Sequence, residues 1–264
     1  MAATLEEAGK KIIVALDTKD PVKALELVRA LKSLVGGFKL GLEFFTSVFV
    51  QVVTMGEEDD SVWANQYMAA LRALFYELTG LLFWDGKWND IPNTVAGAAL
   101  GVVPLNPKFI NVHASCGKEA MKKVVANKGN SIVLAVTVLT SLDDDDCRHV
   151  FGDLSAKKVF LLAQDAQEAG CGGIISSPQD LKILREYEIN GHGASIPKLK
   201  VTPGVRPLWA AANDQKRVMT PGEAIQAGAG YLVIGRPITK PPAAIGTPVD
   251  AAKKIAEEIA AALQ

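Results

Sequence analysis

Short apolar runs alternate with stretches of helical apolar spacing along the whole chain, and that alternation restricts the fold more than any other feature. Lys11 to Asp17 (Lys-Ile-Ile-Val-Ala-Leu-Asp) is continuous, β-branched and apolar, the pattern of a strand buried on both faces. Pro21 to Leu34 then places Ala24, Leu25, Val28 and Leu31 at helical spacing, and Gly36 and Gly37 end it. Later strands are expected at Phe38–Leu42, at the stretch opening on Leu81–Trp84, and at Phe109–Ser115, Ser131–Thr140, Gly172–Ser177, Lys198–Pro203 and Tyr231–Gly235. Between them, helices are expected over Val62–Leu78, Asn93–Gly101, Gly117–Lys128, Ala156–Ala169, Pro178–Glu188 and Pro221–Ala229. Val249–Leu263 forms the closing helix. Glu43–Gly80 is long for one connection, with an acidic surface turn at Gly56–Ser61. Val205–Thr220 is a long loop or lid.

Strands that alternate with helices form a parallel sheet. Eight such units in one chain imply a closed (β/α)8 TIM barrel of the α/β class, and 264 residues suit the roughly 250 that such a barrel needs. A doubly wound open sheet is the alternative, but no Gly-x-Gly-x-x-Gly turn follows the first strand. No break in composition divides the chain, so residues 1–264 are expected to form a single barrel domain.

A net charge of −1 supplies no basic field for nucleic acid. No apolar run is long enough to cross a bilayer, so no membrane partner is expected. Met1–Lys11 carries Glu6 and Glu7 and lacks the apolar centre of a signal peptide. Cys116, Cys147 and Cys171 are odd in number and far apart, which fits reduced thiols in a cytoplasmic protein. His113, His149 and His192 show no ligand spacing, so no metal is expected on protein side chains. The run Asp143–Asp146 reads as a solvated helix start, because carboxylates suit a helix N-terminus.

The chemistry gathers where strands end. A barrel of this kind places its active site at the C-terminal ends of its strands. There the sequence sets Asp17 on strand one, Lys39 on strand two, Asp85 and Lys87 on strand three with Asp90 beyond, and Thr140 on strand five. Arg206 follows strand seven, and Gly235 and Arg236 follow strand eight. Side chains alternate along a strand, so Asp85 and Lys87 point to one face. Burying an ionised group costs several kcal/mol unless it is paired. The bland alternatives are a structural ion pair at Asp85–Lys87 and an edge lysine at position 39. Thr202–Pro207 and Ile234–Pro237 suggest a phosphate site, since such barrels often bind phosphate after the last strands. Gly235 admits close backbone approach and Arg236 offers a forked pair of donors.

The run Asp85-x-Lys87-x-x-Asp90-Ile91-Pro92-Asn93-Thr94 resembles the signature of the orotidine 5'-phosphate decarboxylase family, bacterial type. The similarity extends over nearly the whole chain. It includes Ala15-Leu16-Asp17, Lys39–Phe45, Val112–Ser115, Val138–Ser141, Thr202–Pro207, Asp214-Gln215 and Ile234–Thr239. The resemblance implies decarboxylation of orotidine 5'-phosphate to uridine 5'-phosphate and CO2, the last step of pyrimidine (UMP) biosynthesis, with no cofactor. It implies that Lys39, Asp85, Lys87 and Asp90 form an array of alternating charge, with Lys87 protonating C6 and Asp85 against the departing carboxylate. Asp17 and Lys39 would bind ribose hydroxyls, and Thr140 would contact substrate. Arg206, Gln215, Gly235 and Arg236 would line the phosphate and lid end. A homodimer is implied, with Asp90 and Thr94 reaching the partner's site.

A related magnesium-dependent sugar-phosphate decarboxylase or synthase is the nearest rival; it would share the Asp-x-Lys-x-x-Asp core without the Ile-Pro-Asn-Thr continuation. A nucleotide-binding barrel without turnover and a Schiff-base aldolase using Lys87 are further rivals. The chain departs from the family pattern at Gly86, usually a bulky aliphatic residue and expected to face the helix layer, and at Leu208 and Trp209 in the lid region. Its acidic Glu57–Asp60 segment also lengthens the second connection.

Overall fold

The computed structural model describes residues 3–55, 62–189, 195–210 and 219–264. Eight parallel strands close into a barrel in sequence order, β1 (Ile12–Ala15), β2 (Gly37–Gly41), β3 (Leu82–Trp88), β4 (Phe109–His113), β5 (Ile132–Val136), β6 (Gly173–Ile175), β7 (Leu199–Pro203) and β8 (Tyr231–Ile234). The ring shuts where β1 pairs with β8, Ile13 opposite Val233. Each strand lies within a stretch expected from the sequence or within a residue or so of it, except that β3 runs on through Trp88 and β5 stops at Val136, well short of Thr140.

The alternation along the strands explains two apolar layers. Ile13, Ala15, Phe83, Phe109, Leu134, Val201 and Val233 point inward and fill the barrel. Phe109 lies edge-on to Phe83 and to Tyr231, and Lys108 sits over the Tyr231 ring. These large side chains plug the N-terminal end of the barrel and leave its C-terminal end to carry a site. The opposite parity, Ile12, Val14, Phe38, Leu40 and Leu82 on one side and Ile110, Val112, Val133 and Ala135 on the other, packs outward against the helices. Each valine, leucine, isoleucine or phenylalanine among them contributes roughly 1.5–3 kcal/mol when fully buried.

Helix ends follow the capping chemistry of the sequence. Thr220 and Thr247 cap the helices Pro221–Gln226 and Pro248–Ala262, each with proline in the first turn and a reciprocal carboxylate three residues on. Asp143 caps Asp144–Phe151 in the same way with Asp146, so the acidic run is the helix start that the sequence suggests.

The helices also go beyond the sequence reading. The connection after β2 contains a helix, Leu42–Thr54, before the expected one at Val62–Glu77. Its β-branched residues (Val48, Val50, Val52, Val53) weaken helix propensity, and only Phe44 on it is fully buried. The acidic turn Gly56–Ser61 lies outside the described residues. A short helix, Arg236–Thr239, follows β8 directly, with Gly235 as its N-cap. No helix among the described residues is long and apolar enough to cross a membrane.

Candidate active site

The charged side chains of β1, β2 and β3 meet at the C-terminal mouth of the barrel. Asp85 is 3% exposed, which is costly for a carboxylate unless it is paired. Its Oδ2 receives Lys87 Nζ at 2.6 Å and Lys39 Nζ at 3.0 Å. Lys39 Nζ also lies 3.5 Å from Asp17 Oδ1. Gly41, opposite Asp85 in the β2–β3 register, has no side chain to separate these groups; a Cβ there would come within 3.2 Å of Lys39 Nζ. Lys39 is therefore no solvent-facing edge residue, since its side chain is 16% exposed and doubly paired.

The electrostatics follow from this packing. Burial on its own would raise the Asp85 carboxyl pKa, but the ammonium groups of Lys39 and Lys87 outweigh it and hold the pKa below the usual value. Burial would likewise lower the Lys39 pKa, and Asp85 and then Asp17 reverse this, so it is raised. His113, at the end of β4, is pushed below the usual imidazole value by burial and by the positive charge of Lys87, against a smaller pull from Asp85.

A cavity of about 240 Å³ opens above this group. Lys39, Asp85 and Lys87 form one wall, and Phe83, Val136, Val138, Ile175 and Val233 give an apolar floor and opposite side. Ser176, 1% exposed, also lines it, and its hydroxyl has no protein hydrogen-bond partner among the described residues. A second recess of about 470 Å³ shares Val138, Leu139, Thr140 and Ser177 with it and continues outward. The arrangement is a fixed ammonium beside a small, largely apolar pocket, suited to stabilising negative charge that develops on a bound molecule.

Comparison with known proteins decides the family. The model of the "Orotidine 5'-phosphate decarboxylase / HUMPS family" matches residues 10–255. The chain belongs to that family. It is 40% identical to the orotidine 5'-phosphate decarboxylase of Syntrophomonas wolfei, over 96% of this chain and 99% of that one. It is 41% identical to the enzyme of the same name from Moorella thermoacetica, over 96% and 93%. The crystal structure of orotidine 5'-phosphate decarboxylase from Lactobacillus acidophilus superposes with a TM-score of 0.69 at 28% identity, covering 94% of this chain and 98% of that one.

Against the orotidine 5'-phosphate decarboxylase signature, the structure unites Asp17, Lys39, Asp85 and Lys87 in one ion-paired group, with Thr140 on the same cavity and Gly235 beside Asp17. Asp90 is exposed, and its carboxylate accepts the N–H of Ile91 at 2.7 Å rather than joining Lys87. Thr94 is exposed in the first turn of the helix Pro92–Val102. Thr140 does line the cavity, but from the turn beyond β5 and not from the strand end expected. Just past the end of β5, the Thr137 backbone N–H and hydroxyl both donate to Ile175 O, at 3.3 and 2.9 Å.

Arg206 is 6% exposed, and its N–H donates to Met219 O at 3.0 Å beside the Val205–Met219 bridge, so the two ends of the lid segment are tied together. Gln215 lies outside the described residues. Gly235 sits close to Asp17, where a Cβ would come within 3.3 Å of Oδ2, and Arg236 is exposed at the rim. Leu208 is 91% exposed, whereas Trp209 packs on the outer core. Gly86 faces the helix layer as expected, but its lack of a side chain makes room for two indoles: a Cβ would lie 2.8 Å from Trp88 Nε1 and 2.9 Å from Trp84 Nε1.

Sequence reasoning missed Asn111. It is fully buried and touches both Asp85 and Lys87. The available signal was a lone amide inside an apolar strand, Phe109-Ile110-Asn111-Val112, in step with inward-facing Phe109.

Proposed function

We propose that this protein decarboxylates orotidine 5'-phosphate to uridine 5'-phosphate and CO2, without a cofactor. One observation carries the reading. Lys87 Nζ is held at 2.6 Å by a buried carboxylate at the mouth of a mostly apolar cavity, in a chain that belongs to this family.

The chemistry follows from charge. The bond between C6 and the carboxyl carbon breaks, CO2 leaves, and the electron pair stays on C6. Lys87 stabilises that pair and transfers a proton to C6; solvent then reprotonates the amine. Two unit charges 4 Å apart interact by about 4 kcal/mol at an effective dielectric of about 20, and a preorganised site spends nothing on reorienting water. Asp85 pairs with Lys87 at 2.6 Å and stands against the substrate carboxylate. Asp17 and Lys39 bind ribose hydroxyls, and Thr140 meets the substrate from its turn. Arg206, Gln215, Gly235 and Arg236 receive the phosphate, whose binding energy helps close the lid.

A homodimer completes the site in this reading, with Asp90 and Thr94 entering the partner's cavity. Their exposure supports it, as does the exposed apolar side chain between them, Ile91 at 67%. A cytoplasmic enzyme of nucleotide biosynthesis is consistent with the three free cysteines. The sugar-phosphate branch lacks comparable support: the relatives named above are orotidine 5'-phosphate decarboxylases, and the chain carries the Ile91–Thr94 continuation. The test is the fall in orotidine 5'-phosphate absorbance with a chelator present. Loss of absorbance at an undiminished rate supports the reading, and magnesium-dependent turnover of a sugar phosphate alone refutes it.

A further inference from the structure

Strands β3 and β4 lose register beside the charged group. Phe83 pairs with Phe109 and Trp84 with Ile110, but the next pair is Trp88 with Val112. Three residues of β3 (Asp85, Gly86 and Lys87) thus stand opposite one residue of β4, Asn111. Such a bulge leaves backbone groups without ladder partners and re-aims side chains. Here Lys87 takes φ 45°, a left-handed conformation that side-chain-bearing residues seldom adopt. The Asn111 amide spans the gap. Its Oδ1 accepts the Lys87 backbone N–H at 2.7 Å, and its Nδ2 donates to Asp85 Oδ1 at 2.6 Å.

We propose that Asn111 is a positioning residue for decarboxylation: it fixes the bulge that lets Asp85 and Lys87 meet, and it sets the direction of the Lys87 amine. The proposal rests on the decarboxylase reading above for its kinetic consequence, and on the hydrogen bonds alone for its structural one. Asparagine suits the task because one end must accept and the other donate. Alanine leaves the Lys87 N–H and one Asp85 oxygen unpaired. Aspartate can keep both bonds only when protonated, since its second oxygen must then donate to Asp85. An unprotonated carboxylate there would face Asp85, and like charges at that distance do not both ionise readily. Other charged or titratable groups around position 111 are Lys87 on β3, Lys39 on β2, Asp17 on β1 and His113 on β4 itself. Strand β5, on the other side, pairs with β4 through Ile132–Val136 and brings no titratable side chain.

The test compares wild type, Asn111→Ala and Asn111→Asp in three measurements. These are kcat for orotidine 5'-phosphate across pH 5–9 (about the range where carboxylate pairs with raised pKa titrate), affinity for uridine 5'-phosphate, and hydrogen exchange at the Lys87 amide. Asn111→Ala is expected to lower kcat on the order of a hundredfold, the scale of a misplacement near 1 Å, while product affinity changes by less than about threefold. Its Lys87 amide should exchange faster. Asn111→Asp is expected to work best at the acid end and to lose activity as pH rises, a dependence that wild type lacks. Wild-type kcat in Asn111→Ala, a parallel loss of kcat and product affinity, or a wild-type pH profile in Asn111→Asp would overturn the proposal. If Asn111→Ala does not fold, the pH profile of Asn111→Asp decides. A wild-type chain that releases no CO2 contradicts the decarboxylase reading alone. The Lys87 amide then decides the structural claim, which faster exchange in Asn111→Ala supports and unchanged exchange overturns.

Discussion

Lys87 Nζ lies 2.6 Å from Asp85 Oδ2, although the two residues are only two apart on a strand that bulges between them. Regular alternation would set them side by side on one face. The bulge turns Lys87 back, so that its amine and that of Lys39 share one carboxylate oxygen. A carboxylate so placed is held by its partners and holds them in return. Asp85→Asn is expected to cost about 2–4 kcal/mol of stability, the usual range for breaking a buried pair reduced for the partial exposure of Lys87. Decarboxylation should fall on the order of a hundredfold or more. Urea unfolding and steady-state kinetics check both, and a variant as stable and as active as wild type would leave Asp85 a bystander.

The same group sets a pH window. The folded pKa of Asp85 is depressed, so its stabilisation is complete above the ordinary value of 3.8 and is lost as pH falls through the folded value. The folded pKa of Lys39 is raised, so its contribution is complete below 10.5 and is lost as pH climbs through its folded value. The contribution of this pair to wild-type stability should therefore be complete between 3.8 and 10.5 and shrink outside that window. Urea titrations at a series of pH values measure it. A wild-type stability that already falls away from its plateau near neutrality through these groups would show that their charges are not what stabilises the site.

Position 86 makes a packing prediction. The two indoles occupy the space that a side chain would need, and Trp84 is itself stacked on Phe45 with ring centroids 3.8 Å apart. Gly86→Val should overpack this layer and destabilise the fold by about 1–3 kcal/mol. Gly86→Val with Trp88→Ala should recover part of that loss. Equal stability of the two variants would mean that the glycine serves something other than the indoles.

Much of this was readable beforehand, for definite reasons. Eight strands came through because each is an apolar run bounded by turn residues, and such runs mark strands buried on both faces. Asp17, Lys39, Asp85 and Lys87 were legible because charge at the end of an apolar strand needs an explanation. The helix Leu42–Thr54 was not, because its run of β-branched valines favours extended backbone over helix. Asn111 was missed because its value depends on a register slip, and no local sequence signal reports how two strands pair. Thr140 was misplaced because an apolar run, Ile132–Leu139, outlasts the strand that it begins.

The phosphate end yields a separate expectation. Arg236 stands exposed at the rim after β8, with Gly235 drawn in close to Asp17. Arg236→Ala should weaken substrate binding by about 1.5–3 kcal/mol, the usual contribution of a hydrogen bond to a charged group. A substrate analogue without phosphate should show almost no such loss. KM and kcat/KM for the two substrates measure this, and equal penalties would remove Arg236 from the phosphate site.

The most direct trial concerns the amine itself. Lys87→Ala should release CO2 from orotidine 5'-phosphate at less than about a thousandth of the wild-type rate, since it deletes both the proton and the stabilising charge. Binding of uridine 5'-phosphate should remain measurable by calorimetry in the same variant. Turnover close to wild type in Lys87→Ala, with the fold intact, would contradict the account.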